Sequence, residues 1–252
     1  MREAVDATGL QIKELDEDTA TNLGCLTKLR RLQRRGLPKC EFSLCKAAAR
    51  SGQLEELKLL RAENFPWDEW TCTFAAESGH LKVLQWLREN GCPWDEKTCE
   101  FAAYLGHLEV LKWSRANGCP WESLTCYYAA GGGHLEVLQR ARANGYPWNE
   151  YTCSSAAKGS HLEVLQWLRA NGCPWAANTC WAAAIGGHLE VLQWARANGC
   201  PWDTNTCRCA AAGDNLKVLK WLRANGCPWD MNTRDAARGQ ILEWAVANGV
   251  PE

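Results

Sequence analysis

Residues 90–116 read NGCPWDEKTCEFAAYLGHLEVLKWSRA, and residues 117–143 read NGCPWESLTCYYAAGGGHLEVLQRARA. The second stretch is the first moved on by 27 positions, with some letters held and others changed. The Pro-Trp pair marks the period, recurring at 66–67, 93–94, 120–121, 147–148, 174–175, 201–202 and 228–229. The register extends toward the N-terminus, where GCLTKLRRLQRRGLP (24–38) aligns without a gap on GHLKVLQWLRENGCP (79–93). This reading gives about nine units from Asp16 onward, with residues 1–15 as a polar segment and 16–252 as a single repeat domain. A 27-residue unit is shorter than the ~40 residues at which a lone core becomes viable. Neighbouring units must therefore bury one another's apolar faces.

In the unit at 94–118, Asp95 is placed as a helix N-cap with Thr98 at its N3 position. Trp94 and Cys99 are spaced as a hydrophobic staple. A first helix, A, runs through EKTCEFAAYL and stops at Gly106, a residue suited to the left-handed cap. A second helix, B, follows as HLEVLKWSRAN, with Leu108, Val110, Leu111 and Trp113 at helical spacing. Asn117-Gly118 closes it and Pro120 bars its continuation. No stretch alternates as a strand does, so the pattern predicts an all-α stack of helix-turn-helix pairs. Small residues, the Cys column at 45, 72, 99, 126, 153, 180 and 207 together with Ala102-Ala103, let the helices close up. The Trp of each Pro-Trp covers the joint between units, and a second Trp column (86, 113, 167, 194, 221 and 244) lies on helix B.

The recurring pattern AAxxGHLEVLxxLxxxGC resembles the ankyrin repeat; it is seen at Ala75-Ala76, Gly79-His80-Leu81, Val83-Leu84, Leu87 and Gly91. The resemblance implies an α-solenoid of about nine helix-turn-helix repeats that binds other proteins. It also implies that His80, His107, His134, His161 and His188 start helix B and hydrogen-bond between units. The chain departs from the family in length, with 27 residues per unit against ~33. The shortfall falls between Gly91 and Thr98, where the family carries a β-hairpin finger, and Thr-Cys stands in place of Thr-Pro-Leu-His. The fingers are therefore expected to be reduced or absent.

The letters that change sit on helix A. One column reads Trp70, Lys97, Leu124, Tyr151, Asn178, Asn205, and the next Thr73, Glu100, Tyr127, Ser154, Trp181, Arg208. A third reads Phe74, Phe101, Tyr128, Ser155, Ala182, Cys209, and the last Glu77, Tyr104, Gly131, Lys158, Ile185, Ala212. Within a unit the four columns fall at i, i+3, i+4 and i+7, which is one face of a helix. Helix B varies less on its exposed side. Tyr and Trp are enriched in binding hot spots, and the varied face is aromatic in its middle. The partner-binding candidates are Trp70, Lys97, Glu100, Tyr104, Leu124, Tyr127, Tyr128, Tyr151, Lys158, Trp181, Ile185 and Arg208. The same variation would arise if these exposed positions were under no constraint, so a structural spacer stays open as an alternative. A thiol- or metal-responsive protein is another.

Composition narrows the other classes. A formal net charge of -1 gives no global pull toward nucleic acid or membrane. No apolar run approaches the ~18 residues of a membrane span, and the acidic N-terminal stretch lacks the apolar core of a secretory signal. The 15 cysteines are an odd number in a long chain, which reads as reduced thiols inside the cell, in the cytoplasm or nucleus. The His residues fall one unit apart, too far to share an ion at ~2 Å. The Cys columns relate as Cys-x6-Cys at 92/99, 119/126, 173/180 and 200/207, without a Cys-x2-Cys pair. No metal or other cofactor is expected, and disulfides between the columns remain an open alternative. Phosphate-loop, nucleophile-elbow and His-Glu-x-x-His motifs are missing. The expectation is a nonenzymatic, monomeric protein-binding module. The basic stretch KLRRLQRRGLPK (28–39) reads as the polar cap of the repeat array.

Unit four is irregular, with Gly-Gly-Gly at 131–133 and Arg140-Ala141 where other units carry Trp-Leu. Glycine in a helix costs up to ~1 kcal/mol relative to alanine, so a soft joint is predicted there. Amide hydrogen exchange at 128–142 should outpace that of the corresponding segments in units three and six.

Overall fold

A computed structural model describes residues 40–120 and 124–251, with side chains from Leu44 onward. The start near Asp16, the 1–15 segment and the basic stretch at 28–39 lie outside the described residues. Among the described residues there are helices and no strands. They are α1 Cys40–Arg50, α2 Leu54–Ala62, α3 Glu69–Glu77, α4 Leu81–Glu89, α5 Glu96–Tyr104, α6 Leu108–Ala116, α7 Leu124–Gly131 and α8 Leu135–Ala143. The series continues with α9 Glu150–Lys158, α10 Leu162–Ala170, α11 Ala177–Ile185, α12 Leu189–Ala197, α13 Thr204–Ala212, α14 Leu216–Ala224, α15 Met231–Ala236 and α16 Gly239–Ala247. Odd-numbered helices are the A helices and even-numbered ones the B helices. Two compact units divide between Thr98 and Cys99. In the first, α1 packs on α3; in the second, α7, α9, α11, α13 and α15 pack in succession. The architecture is an α-solenoid of ankyrin-like repeats, and short non-helical turns stand where fingers would be.

Three of the A helices, α3, α9 and α13, begin in the same way. Asp68, Asn149 and Asp203 are extended N-cap residues whose side chains accept from the N3 backbone. The hydroxyls of Thr71, Thr152 and Thr206 accept in return from the N-cap backbone N–H. This is a capping box built with threonine in place of the usual Glu or Gln. The threonines are fully buried, so one small residue caps the helix and fills the seam between helices. Below them the Cys column and the Ala-Ala pairs are also buried, Cys99, Ala102 and Ala103 each at 0 % exposure.

The helix ends close with glycine, and here the conformation matters. In α3, the N–H of His80 donates to Ala75 O and that of Gly79 to Ala76 O, a Schellman motif. Gly79 takes φ 74°, and Gly106 and Gly118 take φ 76° and 79° in the next unit. Three positions of this kind hold other residues: Asn64, Ser160 and Asp214, at φ 63°, 64° and 59°.

Successive repeats are tied through the N-cap residue of helix B. The Nε2–H of His80 donates to Arg50 O at 3.0 Å, of His134 to Tyr104 O at 2.9 Å, of His161 to Gly131 O at 3.0 Å and of His188 to Lys158 O at 2.9 Å. Every acceptor is the last residue of the preceding A helix. A carbonyl accepts only, so the ring proton sits on Nε2. Burial pushes the His134 imidazolium's pKa below its ordinary value. Asn215 takes the place of histidine once, donating from Nδ2 to Ile185 O at 2.9 Å.

Outside the A helices, the two Trp columns meet as T-shaped pairs. Trp67 and Trp86 have ring centroids 5.9 Å apart, Trp148 and Trp167 5.7 Å, Trp175 and Trp194 5.8 Å, and Trp202 and Trp221 5.9 Å. The arginine ending the previous B helix lies over the first ring of each pair, with Arg61 at 4.0 Å from Trp67 and Arg196 at 3.9 Å from Trp202. Such contacts each contribute about 0.5–1.5 kcal/mol.

Unit four departs from this pattern for a reason other than its glycines. Gly133 takes φ 80° at the ordinary cap position, and a Cβ on Gly132 would meet Tyr104 O at 2.0 Å, so both are required by the stack. Only Gly131 is helical. The deficit lies on the B side, where Ser114 and Ala141 stand in succession in a column that elsewhere holds Leu87, Leu168 and Leu222 and also Ala195, and Arg140 replaces Trp. A cavity of about 330 Å³ opens there between α6 and α8, lined by Leu111, Arg115, Val137, Arg140, Ala141 and Tyr146 among others.

Two glycines with nearly the same φ separate backbone strain from crowding. A Cβ on Gly106 would meet the His134 ring at 2.3 Å, whereas one on Gly118 meets nothing within 4 Å. Gly118→Ala should cost only the left-handed penalty of about 1 kcal/mol. Gly106→Ala should cost about 1–3 kcal/mol more through the displaced ring. Urea unfolding of the two variants measures the difference.

Candidate docking face

The four variable columns of the A helices differ in exposure, and the difference follows from helix packing. Positions i+3 and i+4 lie toward the seam between neighbouring A helices. Thr73, Glu100, Ser154 and Ser155 there are at most 9 % exposed. Glu100, expected on the binding face, is 6 % exposed and does not join it. Its carboxylate and burial instead push the Tyr128 hydroxyl's pKa up, burial being the larger cause. Positions i and i+7 form the open edge, with Leu124 at 43 %, Tyr151 at 56 %, Tyr104 at 46 % and Ile185 at 43 %. Lys158 is also exposed. The exposed part of the varied face is therefore narrower than four columns.

In the unit ending at Thr98, the varied side chains engage one another. Lys46 pairs with Asp68 at 2.8 Å and Arg50 with Glu77 at 2.7 Å, both bridging successive repeats. The Arg50 guanidinium also lies 4.1 Å from the Phe74 ring centroid. Trp70 and Lys97, two of the expected site residues, are brought together as a cation over a ring at 4.8 Å. Both are half-buried.

In the unit from Cys99, large apolar groups stand open. Tyr127 and Tyr128 meet edge to face at 5.4 Å, and Tyr104 approaches Tyr128 at 6.5 Å. Both Tyr127 and Tyr128 are half-buried, and Tyr104 and Tyr151 are exposed. Leu105, at 42 % exposure, extends the patch. It was not among the expected residues because it falls one position past the last variable column, where other units carry Ser78, Gly132, Gly159, Gly186 or Gly213. Trp181 is only half exposed, and its indole N–H donates to Asp203 Oδ1 of the next repeat at 2.7 Å. Arg208 is exposed and donates to Asn205 Oδ1 at 3.0 Å.

The backbone beneath the open edge is held. The carbonyls of Tyr104, Lys158 and Ile185 are the acceptors for His134, His188 and Asn215 of the following repeats. The residues that project most freely are thus fixed at their base by the joint between repeats.

Among the described residues, no group of three or more His, Cys, Asp or Glu side chains is placed to hold a metal ion. No described helix is long and apolar enough to cross a membrane. The sequence separates the cysteines by seven residues, but the structure pairs them at twenty, as Cys72/Cys92, Cys99/Cys119, Cys153/Cys173, Cys180/Cys200 and Cys207/Cys227.

Trp181→Ala should lower stability by about 1.5–3 kcal/mol, because it breaks a hydrogen bond to a charged acceptor. Tyr151→Ala, on an exposed side chain, should stay within about 0.5 kcal/mol of the parent. Thermal or urea unfolding of the two variants reads the contrast.

Residues 44–113 match the family model for ankyrin repeats in many copies. No curated protein matches the chain.

Proposed function

Because the chain carries ankyrin repeats, we propose that it is a nonenzymatic module that holds a partner protein along the open edge of its A helices. Ankyrin repeats generally mediate protein–protein interaction. The observation that carries the reading is the combination at Tyr104, Lys158 and Ile185 of an exposed side chain with a clamped backbone carbonyl. Side chains ordered before binding lose little further entropy on docking, so more of the contact energy appears as affinity. Tyr151 and Leu124 add apolar area beside them.

A repeat array distributes like residues at even intervals, whereas an active site is a single irregular constellation. That contrast favours binding over catalysis. The module acts inside the cell, where thiols such as those of the free cysteines stay reduced.

Crosslinking of the chain in its native cell, followed by mass spectrometry, would identify the partner. With the purified pair, Tyr104→Ala, Tyr151→Ala and Ile185→Ala combined should weaken binding at least tenfold, about 1.4 kcal/mol. Glu163→Ala and Glu190→Ala, on exposed B-helix positions, should leave it unchanged. Equal affinity of the triple variant and the parent would sink the assignment.

A further inference from the structure

One pair of neighbouring B helices departs from the others in several residues at once. The leucine column of Leu87, Leu168 and Leu222 holds Ser114 in α6 and Ala141 in α8, one directly after the other. Ala195, by contrast, stands between Leu168 and Leu222. In the column of Trp86, Trp167 and Trp194, α8 carries Arg140, and Tyr146 takes the turn position held by Cys92, Cys119 and Cys173. Two leucine side chains and one indole are thus missing from one stretch of the B side, and the cavity of about 330 Å³ lies there.

Its lining divides by chemistry. Leu111, Val137 and Ala141 are buried and apolar. Lys112, Arg115 and Arg140 are exposed cations. Lys112 pairs with Glu109 and Arg140 with Glu136, the latter at 3.2 Å, each within its own helix. Three cations therefore border the cavity, and the two carboxylates beside them neutralise two. Arg115 is placed differently from its counterparts. Arg88, Arg169, Arg196 and Arg223 are half-buried, and each donates from Nη1 to the turn carbonyl four residues on. Arg115 is exposed, and its guanidinium carbon lies 5.3 Å from the ring centroid of Tyr146, which also lines the cavity. An unfilled apolar cavity costs stability, yet the chain places filling residues, Leu and Trp, at the same positions of other repeats. A cation introduced beside that cavity suits an anionic occupant.

We propose that the cavity is a binding site for a small amphiphilic carboxylate. The apolar body lies on Leu111, Val137 and Ala141, and Arg115 and Arg140 meet the carboxylate. The volume stands at the lower end of the ~300–1,000 Å³ that small-molecule sites span, which fits a bicyclic ring or a short acyl chain rather than a peptide segment. A guanidinium presents paired N–H groups in the geometry a carboxylate accepts. Arg140 exchanges Glu136 for the ligand at little loss, because exposed pairs within a helix contribute little. The site uses B-helix residues alone and is independent of the A-helix edge.

The test titrates the full chain with 1-naphthoate and, separately, with 1-naphthylmethylammonium, which has nearly the same shape and the opposite charge. Amide chemical shifts report where each binds and how tightly. Naphthoate should move resonances of α6, α8 and Tyr146 and bind about tenfold or more tightly than the amine, as the gain of a charge-assisted hydrogen bond requires. Arg115→Gln with Arg140→Gln, both at exposed positions, should remove that preference. Ala141→Leu restores the residue of other repeats; it should abolish naphthoate binding with the thermal midpoint equal or higher. The glutamine pair decides the matter even where leucine does not fit. Equal affinity for the two probes, an unchanged preference in the glutamine variant, or no shift in α6 or α8 at millimolar naphthoate would overturn the proposal. So would a folded Ala141→Leu that binds as the parent does. Tighter binding of acetyl-Trp-Glu-amide than of naphthoate would overturn it as well, by assigning the cavity to the side chains of a partner protein.

Discussion

Five of the described A helices, α1, α5, α7, α9 and α11, end on a backbone carbonyl that their own helix cannot satisfy. The next repeat supplies the donor, a histidine ring nitrogen or once an asparagine amide, at 2.9 to 3.0 Å. The contact demands room, so the glycine at the same helix end has both a left-handed backbone and a neighbour's ring where its Cβ would be, as at Gly52, Gly106 and Gly133. Glycine and histidine are therefore one device shared between successive repeats. Remove the approach and the repeats lose register; keep it and the position of each A helix follows from the one before. The proposed docking edge is anchored at that joint, because Tyr104, Lys158 and Ile185 supply both the accepting carbonyl and the projecting side chain.

Much of this was legible in the sequence because the repeat is an internal comparison. Held residues with an evident backbone role, such as Asp95, Thr98, Gly106 and Gly118, placed the helix boundaries to within a residue or two. Asp95 does cap its helix, its Oδ1 accepting from Lys97 N–H at 3.1 Å. The varied columns were also correctly placed on the A helices. What could not be read was depth. Periodicity assigns a residue to a face but not to a distance from the seam, and a column mixing Thr73, Glu100 and Arg208 gives no average from which burial could be judged. Glu100 sank into the packing, while Arg208 of the same column stayed exposed.

Side-chain partnerships across a helical hairpin were hidden for a related reason. Cys173 and Cys180 are neighbours in the sequence, but the seven-residue step carries the chain from one repeat into the next. The hairpin brings the turn after helix B back to the start of its own helix A, so Cys173 meets Cys153 and Cys180 meets Cys200. The tryptophans show the same effect. Read along the chain they form two columns with separate duties. Folded, they meet in pairs, and in the unit from Cys99 the paired rings form a wall capped by arginines that can also donate to a turn carbonyl, as Arg196 does for Cys200.

That wall has a spectroscopic consequence. Indole rings held 5.7 to 6.0 Å apart at 61° to 78° are near enough and skewed enough for their electronic transitions to couple. A lone indole gives no such split signal. Each repeat with such a pair therefore adds an exciton couplet to the circular dichroism, and its opening subtracts one. The molecule carries its own optical gauge of how many layers are closed, without any attached dye.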